Sequence, residues 1–209
     1  ARGNSGVILS LIYRGIAKSL KGKDEIDGGD LADAFASGVK TAYSAVMKPT
    51  EGTILTVSRE AADAAVAFAA HCEDPVLVLE KLIEQAKATL ERTPEILPVL
   101  KQDGVVDAGG QGVVAMLQGA YTALKDGVII KAPEQAGGKE DNSALFEEFD
   151  MDSIKFMYCT EFLVNKPKTG PLEDGAARKF RAFLESVGDS IVFVDDTDII
   201  KIHVHTNHP

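Results

Sequence analysis

Apolar residues recur with the spacing of an α-helix up to residue 126, and this spacing limits the first part of the chain to a helical fold. From residue 5 onward, apolar side chains recur every three or four positions, a spacing that places them on one face of an α-helix. Proline, glycine and capping residues divide the repeat into segments. The spacing predicts six helices, over residues 5–20, 30–48, 53–71, 75–90, 94–101 and 113–126.

The third predicted helix is unusually rich in alanine, with the run AADAAVAFAA at 61–70. Small side chains let neighbouring helices approach closely, which is typical of a packed bundle. We therefore expect the first part of the chain to be all-α.

The apolar period changes after residue 150. The segment IKFMYCTEFLV (154–164) alternates with a period of two, which predicts a strand. Residues 174–187 have helical spacing, and SIVFV (190–194) and DIIKIHVHT (198–206) are two further strands. The order β-α-β-β predicts a smaller α+β domain.

Between these two parts lies KAPEQAGGKEDNS (131–143), which has almost no apolar residues. Glycine, proline and charge in this proportion are typical of a linker. We therefore predict a helical domain at 1–130, a linker at 131–150 and an α+β domain at 151–209.

Charge and composition exclude several classes of function. The net charge is −10, whereas nucleic-acid binding requires Lys and Arg to neutralise phosphates. No apolar run approaches the ~18 residues that span a bilayer, and ARGNSGVILS is not a signal peptide because its apolar stretch ends at Arg14. Cys72 and Cys159 are far apart, which favours free thiols or a metal ligand over a disulfide. We expect a cytoplasmic protein that binds no nucleic acid and has no transmembrane segment.

Three turns combine glycine with small polar residues: ARGNSG (1–6), PTEGT (49–53) and VVDAGGQG (105–112). Each leads into a predicted helix, and helix N-termini present free N–H groups and a partial positive charge. If the three turns meet at one end of a bundle, they form an anion-binding site to which Ser5 or Thr53 can add a hydrogen bond. Any single turn, taken alone, is more typical of ordinary helix capping.

The second domain holds a possible metal site. His203 and His205 are two residues apart on a predicted strand, so they share the face opposite the apolar residues of that strand. Cys159 likewise lies opposite the apolar face of its strand. If the strands are neighbours, a thiolate and two imidazoles converge as a three-ligand zinc site. The alternative is that Cys159 is a small filler and the histidines are solvated.

Longer strings in the chain resemble a known family. ARGNSGVILS, TAYSAVMKPTEGTILTV and LKQDGVVDAGGQG, in this order and spacing, resemble the ATP-binding domain of the fatty acid kinase A family. A more distant similarity is to the nucleotide-binding component of dihydroxyacetone kinase. The strings YCTE and KIHVHT resemble the middle domain of fatty acid kinase A. The resemblance implies an all-α antiparallel helical barrel or bundle, holding ATP at one end, followed by the smaller α+β domain.

The resemblance also implies roles for individual residues. The first turn would contact phosphates through Gly3, Asn4 and Ser5. The second would approach the nucleotide with Gly52 and Thr53. The third would close over it through Asp107, Gly109 and Gly110. The implied zinc ligands are Cys159, His203 and His205.

The implied activity is phosphoryl transfer from ATP to a fatty acid carboxylate, giving an acyl phosphate. The implied partner is a separate lipid-binding protein that carries the fatty acid, and we also expect a homodimer. Two alternatives stay open: the nucleotide-binding component of a dihydroxyacetone-type kinase, or a nucleotide-sensing or dimerising scaffold without turnover. No residue is an obvious general base, so catalytic residues stay unassigned.

The family's Mg²⁺-binding aspartates lie upstream of the ARGNSG motif. Because the chain begins at that motif and stops at HTNHP, we expect it to be a fragment at both ends. A chain without those carboxylates lacks dedicated ligands for the Mg²⁺ that bridges the ATP phosphates. We therefore expect these 209 residues alone to be incomplete for catalysis and to bind Mg-ATP weakly.

Overall fold

The computed structural model describes residues 3–128, 155–166, 170 and 172–209, which fall into two compact units. The linker predicted at 131–150 and the first residue of the predicted strand, Ile154, lie outside the described residues. Among the helices of the described part, none is long and apolar enough to cross a membrane.

The first unit is all-α, as the apolar spacing predicts. Consecutive long helices pack against one another, α1 on α2, α2 on α3 and α3 on α4, and α6 packs on both α3 and α4. The helices are α1 (Gly3–Ser19), α2 (Gly28–Ala45), α3 (Ile54–Ala69), α4 (Pro75–Ile96), α5 (Pro98–Asp103) and α6 (Ala108–Asp126).

Side-chain caps fix where four of these helices begin. Asp27, Thr53, Asp74 and Asp107 each accept a hydrogen bond from a backbone N–H in the first turn of the helix that follows. The prediction that α2 starts at Asp30 is wrong. Asp27 is the cap, its Oδ1 accepts the Asp30 N–H at 2.8 Å, and the helix therefore starts at Gly28.

Three helix ends also differ from the prediction. Helix α2 stops at Ala45, well before Pro49, because Val46 is extended. Helix α4 continues through Pro94 to Ile96, since a proline near a helix end removes one bond and the Leu97 N–H still reaches Thr93 O at 2.9 Å. Helix α6 starts before its glycines, because the Asp107 cap makes them part of the first turns.

The core of this unit lies between the helices and is almost entirely aliphatic and alanine. Helices α1 and α2 cross at two glycines: a Cβ on Gly15 would lie 2.5 Å from Gly38 Cα, and one on Gly38 would lie 2.5 Å from Ile12 O. Both neighbours are backbone atoms, which cannot move aside as a side-chain tip can. This crossing therefore requires glycine.

The second unit is a three-stranded sheet with one helix, in the predicted order β-α-β-β. Its elements are β1 (Tyr158–Asn165), α7 (Asp174–Val187), β2 (Gly188–Asp195) and β3 (Ile199–Thr206). The strand order is β1-β3-β2, and β1 is antiparallel to β3. The central strand β3 buries its apolar residues, Ile200, Ile202 and Val204.

The edge strand β1 behaves differently from β3. Its alternating apolar residues remain accessible, with Tyr158 51% and Phe162 38% exposed. An alternating pattern shows which side chains share a face, and the burial of that face depends on what packs against it.

We expect Gly38→Ala to lower the free energy of unfolding by about 1–3 kcal/mol, because the added methyl overpacks the α1–α2 crossing. Gly119→Ala is the matched control, since it also lies inside a helix but has nothing within 4 Å of the added Cβ. Alanine there should be neutral or stabilise by up to about 1 kcal/mol through helix propensity. Urea unfolding followed by circular dichroism measures both; equal effects of the two variants would contradict the tight crossing.

Candidate functional site

The N-terminal ends of three helices meet at Gly109, in the first turn of α6. A Cβ on Gly109 would lie 3.1 Å from Ile54 Cβ, at the start of α3, and 3.3 Å from Ser5 Oγ, in the first turn of α1. The three glycine-bearing turns identified in the sequence are thus brought to one end of the bundle. Helix N-termini carry partial positive charge, so their convergence favours an anion.

Asn4 adds a polar group at the same end of α1. Its Oδ1 is buried and has no hydrogen-bond partner among the described residues. A buried polar atom without a partner is costly, and a bound ligand is one way to satisfy it. In the orientation described, the carbonyl can accept a hydrogen bond or contact a hard cation, whereas a rotated amide would donate to a phosphate. Either orientation fits a metal–nucleotide complex.

Several groups of the predicted site residues are hydrogen-bonded within the protein, among them the Gly52 N–H, which donates to Thr56 Oγ1 at 2.7 Å. The Gly110 N–H donates to Asp107 Oδ2 at 2.7 Å, and the Thr53 hydroxyl donates to Thr50 O at 2.7 Å. The Gly110 bond caps α6. The other orients the Thr53 hydroxyl, whose Oγ1 caps α3 by accepting the Leu55 N–H at 3.4 Å. Of the residues predicted to contact phosphates, Asn4 and Ser5 lie at this same end of the bundle, beside the close approach at Gly109.

Thr93, which holds the third turn (105–112) in place, was not identified from the sequence. It lies on α4, is fully buried, and its Oγ1 accepts the Asp107 N–H at 3.1 Å. A buried threonine on an amphipathic helix gives no sequence signal of such a partner, since its spacing is that of the core.

The second turn is held by a network that sequence reasoning also missed. Thr56 Oγ1 accepts the Gly52 N–H at 2.7 Å and donates to Glu51 Oε2 at 2.7 Å. Arg59 Nη2 donates to the same carboxylate oxygen at 2.9 Å, and its Nε donates to the Tyr43 hydroxyl at 3.2 Å. Tyr43 in turn donates to Glu51 Oε1 at 3.2 Å. The turn is thus tied to both α2 and α3.

Gly52 itself requires glycine for two reasons. Its φ is +81°, in the left-handed region, and a Cβ there would lie 2.7 Å from Leu97 Cβ. The turn therefore packs directly against the junction of α4 and α5.

These contacts shift the acidity of the network. Burial alone would raise the pKa of Glu51, but hydrogen bonds from Thr56 and Arg59 outweigh it and hold that pKa below its ordinary value. Hydrogen bonds to Tyr43 and Glu51 raise the pKa of Arg59. Glu51 and Arg59 therefore form a charged pair at neutral pH.

In the second unit, the predicted metal ligands come together. Cys159 pairs with His205 across β1 and β3, and the nearest ligand atoms of Cys159, His203 and His205 all lie within 4.8 Å of one another. His203 is buried, Cys159 is exposed and His205 is half-buried. One thiol and two imidazoles, open on one side, are a donor set typical of Zn²⁺.

A carboxylate supports the buried imidazole. Glu161 Oε1 lies 3.1 Å from His203 Nδ1, while Nε2 of the same ring lies 3.8 Å from Cys159 Sγ. Burial lowers the pKa of His203, and the Glu161 hydrogen bond partly opposes that. A neutral imidazole oriented by a carboxylate is the form that binds metal. The strand alternation placed Glu161 on this face, but sequence reasoning assigned it no role.

Comparisons with known proteins find a match for each of the two units. The DAK2 domain family matches residues 1–122, and the middle domain of fatty acid kinase A-like proteins matches residues 155–209. The chain therefore belongs to the fatty acid kinase A-like, DAK2-domain proteins, a kinase-related family, as the resemblance in the sequence implied. Kinase-related domains of this class imply the use of ATP.

Similar and longer proteins occur in staphylococci. An uncharacterized protein of Staphylococcus saprophyticus is 44% identical over 215 aligned positions, covering 100% of this chain and 38% of that protein. Uncharacterized proteins of Staphylococcus aureus and Staphylococcus epidermidis are 41% identical with the same coverage. The chain thus spans 38% of the length of these curated relatives.

We expect Glu51→Gln to destabilise the chain at neutral pH, with a difference from wild type that shrinks in acid. Because the folded state lowers the pKa of Glu51, its contribution is fully present above the ordinary pKa and is lost as pH falls through the folded pKa. Urea midpoints at about pH 7 and about pH 3 bracket this window. Glu25→Gln removes an exposed carboxylate outside the network and is the control. A difference between wild type and Glu51→Gln that is unchanged or larger in acid would contradict the assignment.

Proposed function

We propose that this chain supplies the nucleotide-binding and middle domains of a kinase that phosphorylates a fatty acid carboxylate with ATP. The observation that carries the proposal is the meeting of three glycine-bearing helix N-termini at Gly109, in a chain whose second unit matches a fatty acid kinase middle domain. The acceptor in this proposal is carried by a separate lipid-binding protein. The carboxylate oxygen attacks the γ-phosphorus, the bond to the bridging oxygen breaks, and ADP leaves.

Phosphoryl transfer requires positioning and charge stabilisation more than covalent chemistry. In this proposal Gly3, Asn4 and Ser5 contact phosphates, Gly109 lets backbone approach them, and Asp107 and Gly110 hold the turn that closes over the nucleotide. Gly52 and Thr53 set the start of α3 beside it. Bound Mg²⁺ would neutralise charge on the transferring group, and Asn4 is the described residue best placed to meet it.

The middle-domain site is proposed to hold Zn²⁺ through Cys159, His203 and His205. A bound zinc ion would supply folding energy and fix β1 against β3. Glu161 would orient His203 toward it.

We expect Gly109→Val to lower kcat/KM for ATP in the full-length protein by roughly 100-fold, because the added side chain occupies the junction of the three turns. Gly112→Val is the matched control: it lies three residues further along α6 and has nothing within 4 Å of an added Cβ. Two assays measure turnover. With the lipid-loaded partner as acceptor, hydroxylamine traps the acyl phosphate product. With dihydroxyacetone as acceptor, the release of ADP is followed.

The same pair of assays separates the candidate functions. Turnover with dihydroxyacetone alone would assign the protein to that kinase class, and nucleotide binding without turnover would indicate a scaffold. Equal activity of the two valine variants would place the nucleotide elsewhere.

We expect Cys159→Ser and His203→Ala to weaken Zn²⁺ binding more than ~10-fold. His208→Ala removes a histidine outside the cluster and should bind zinc as the wild type does. Competition with a chromophoric chelator gives the affinities, and X-ray fluorescence identifies the metal in purified protein. A folded wild-type protein without metal, or equal loss in all three variants, would contradict the site.

A further inference from the structure

The turn at 50–53, which precedes α3, is held in place by few backbone hydrogen bonds. Helix α3 makes its first backbone bond from the Val57 N–H to Thr53 O, and Gly52 before it adopts a left-handed conformation. The Gly52 N–H is directed inward to Thr56 Oγ1, so a side chain of the helix fixes the backbone of the turn. That hydroxyl is in turn oriented by Glu51.

The network of Glu51, Thr56, Arg59 and Tyr43 restricts the conformation of the turn more than it adds to the free energy of folding. The side chains of Glu51 and Arg59 are 47% and 40% exposed, and exposed ion pairs contribute little to folding free energy. Yet five hydrogen bonds converge here, linking α2, the turn and α3. Such convergence restricts the turn to one arrangement.

The turn sets the position of Ile54, which lies against Gly109 at the junction of the three helix N-termini. A displacement of the turn therefore moves the start of α3 relative to α1 and α6. Arg59 has a second effect, because its positive charge offsets the negative charge of Glu51, the residue before Gly52 in the turn. Loss of either effect would weaken binding of a triphosphate.

We propose that Thr56, Glu51 and Arg59 are positioning residues that set the turn at 50–53 for the ATP phosphates. The inference rests on the proposed nucleotide site at Gly109. None of the three residues needs to touch the nucleotide: Thr56 acts through Gly52, Glu51 acts through Thr56, and Arg59 acts through Glu51.

The test is the affinity of the full-length protein for Mg-ATP, measured by titration calorimetry alongside thermal unfolding. Thr56→Val keeps the size of the side chain but removes the hydroxyl, and we expect about tenfold weaker binding, the loss of roughly one hydrogen bond's contribution. Thr56→Ser restores the hydroxyl and should restore affinity. Glu51→Gln keeps the shape at an exposed position and should weaken binding less, which provides a second variant if Thr56→Val does not fold.

Thr89→Val is the matched control for a merely structural effect. Thr89 is also a fully buried threonine, and its Oγ1 also donates to a glutamate, Glu60 Oε2, at 2.8 Å. It should lose a similar amount of thermal stability while binding Mg-ATP as the wild type does.

Two outcomes overturn the inference: wild-type affinity in Thr56→Val and Glu51→Gln, or an equal loss of affinity in Thr89→Val. In both cases a wild-type protein that binds Mg-ATP leaves the proposed function standing. A wild-type protein that does not bind Mg-ATP removes the proposed function and this inference together.

Discussion

Three helix starts approach one another closely at Gly109, and every other part of the proposed nucleotide site is arranged around that contact. Because position 109 has no side chain, Ile54 on α3 and Ser5 on α1 both approach α6 closely: a Cβ there would lie only 3.1 Å from Ile54 Cβ and 3.3 Å from Ser5 Oγ. Each helix brings the positive end of its dipole to the same place. Two buried threonines hold two of these starts in place: Thr93 accepts the Asp107 N–H at the start of α6, and Thr56 accepts the Gly52 N–H in the turn before α3.

The two threonines show how the fold serves the site. Each is buried on a helix that contributes to the core, and each uses its hydroxyl to accept a backbone N–H from a turn that carries glycine. Buried polar groups of this kind are costly unless paired, so they specify one arrangement of the turn. The proposed anion site is thus supported by the hydrophobic core through two defined contacts.

The parts of the structure that were predicted correctly are those marked by a periodic spacing of apolar and polar residues. The stripe of apolar residues predicted the helices, and alternation on two strands predicted that Cys159, His203 and His205 share a face. Prediction from the sequence failed where the outcome depends on single contacts. Asp27, and not Asp30, caps α2 because its carboxylate accepts the Asp30 N–H in the first turn of the helix. Helix α4 continues through Pro94 because the Leu97 N–H still donates to Thr93 O. The Glu51 network joins residues from two helices and a turn, and no periodic pattern marks such a set.

In the proposed site, the turns at 3–6, 50–53 and 107–112 bind one nucleotide together. Hydrogen exchange of the full-length protein, with and without a non-hydrolysable Mg-ATP analogue, tests this most directly. Simultaneous protection of all three turns at the same analogue concentration is the predicted result. Protection confined to one turn, or found only outside them, would contradict the account.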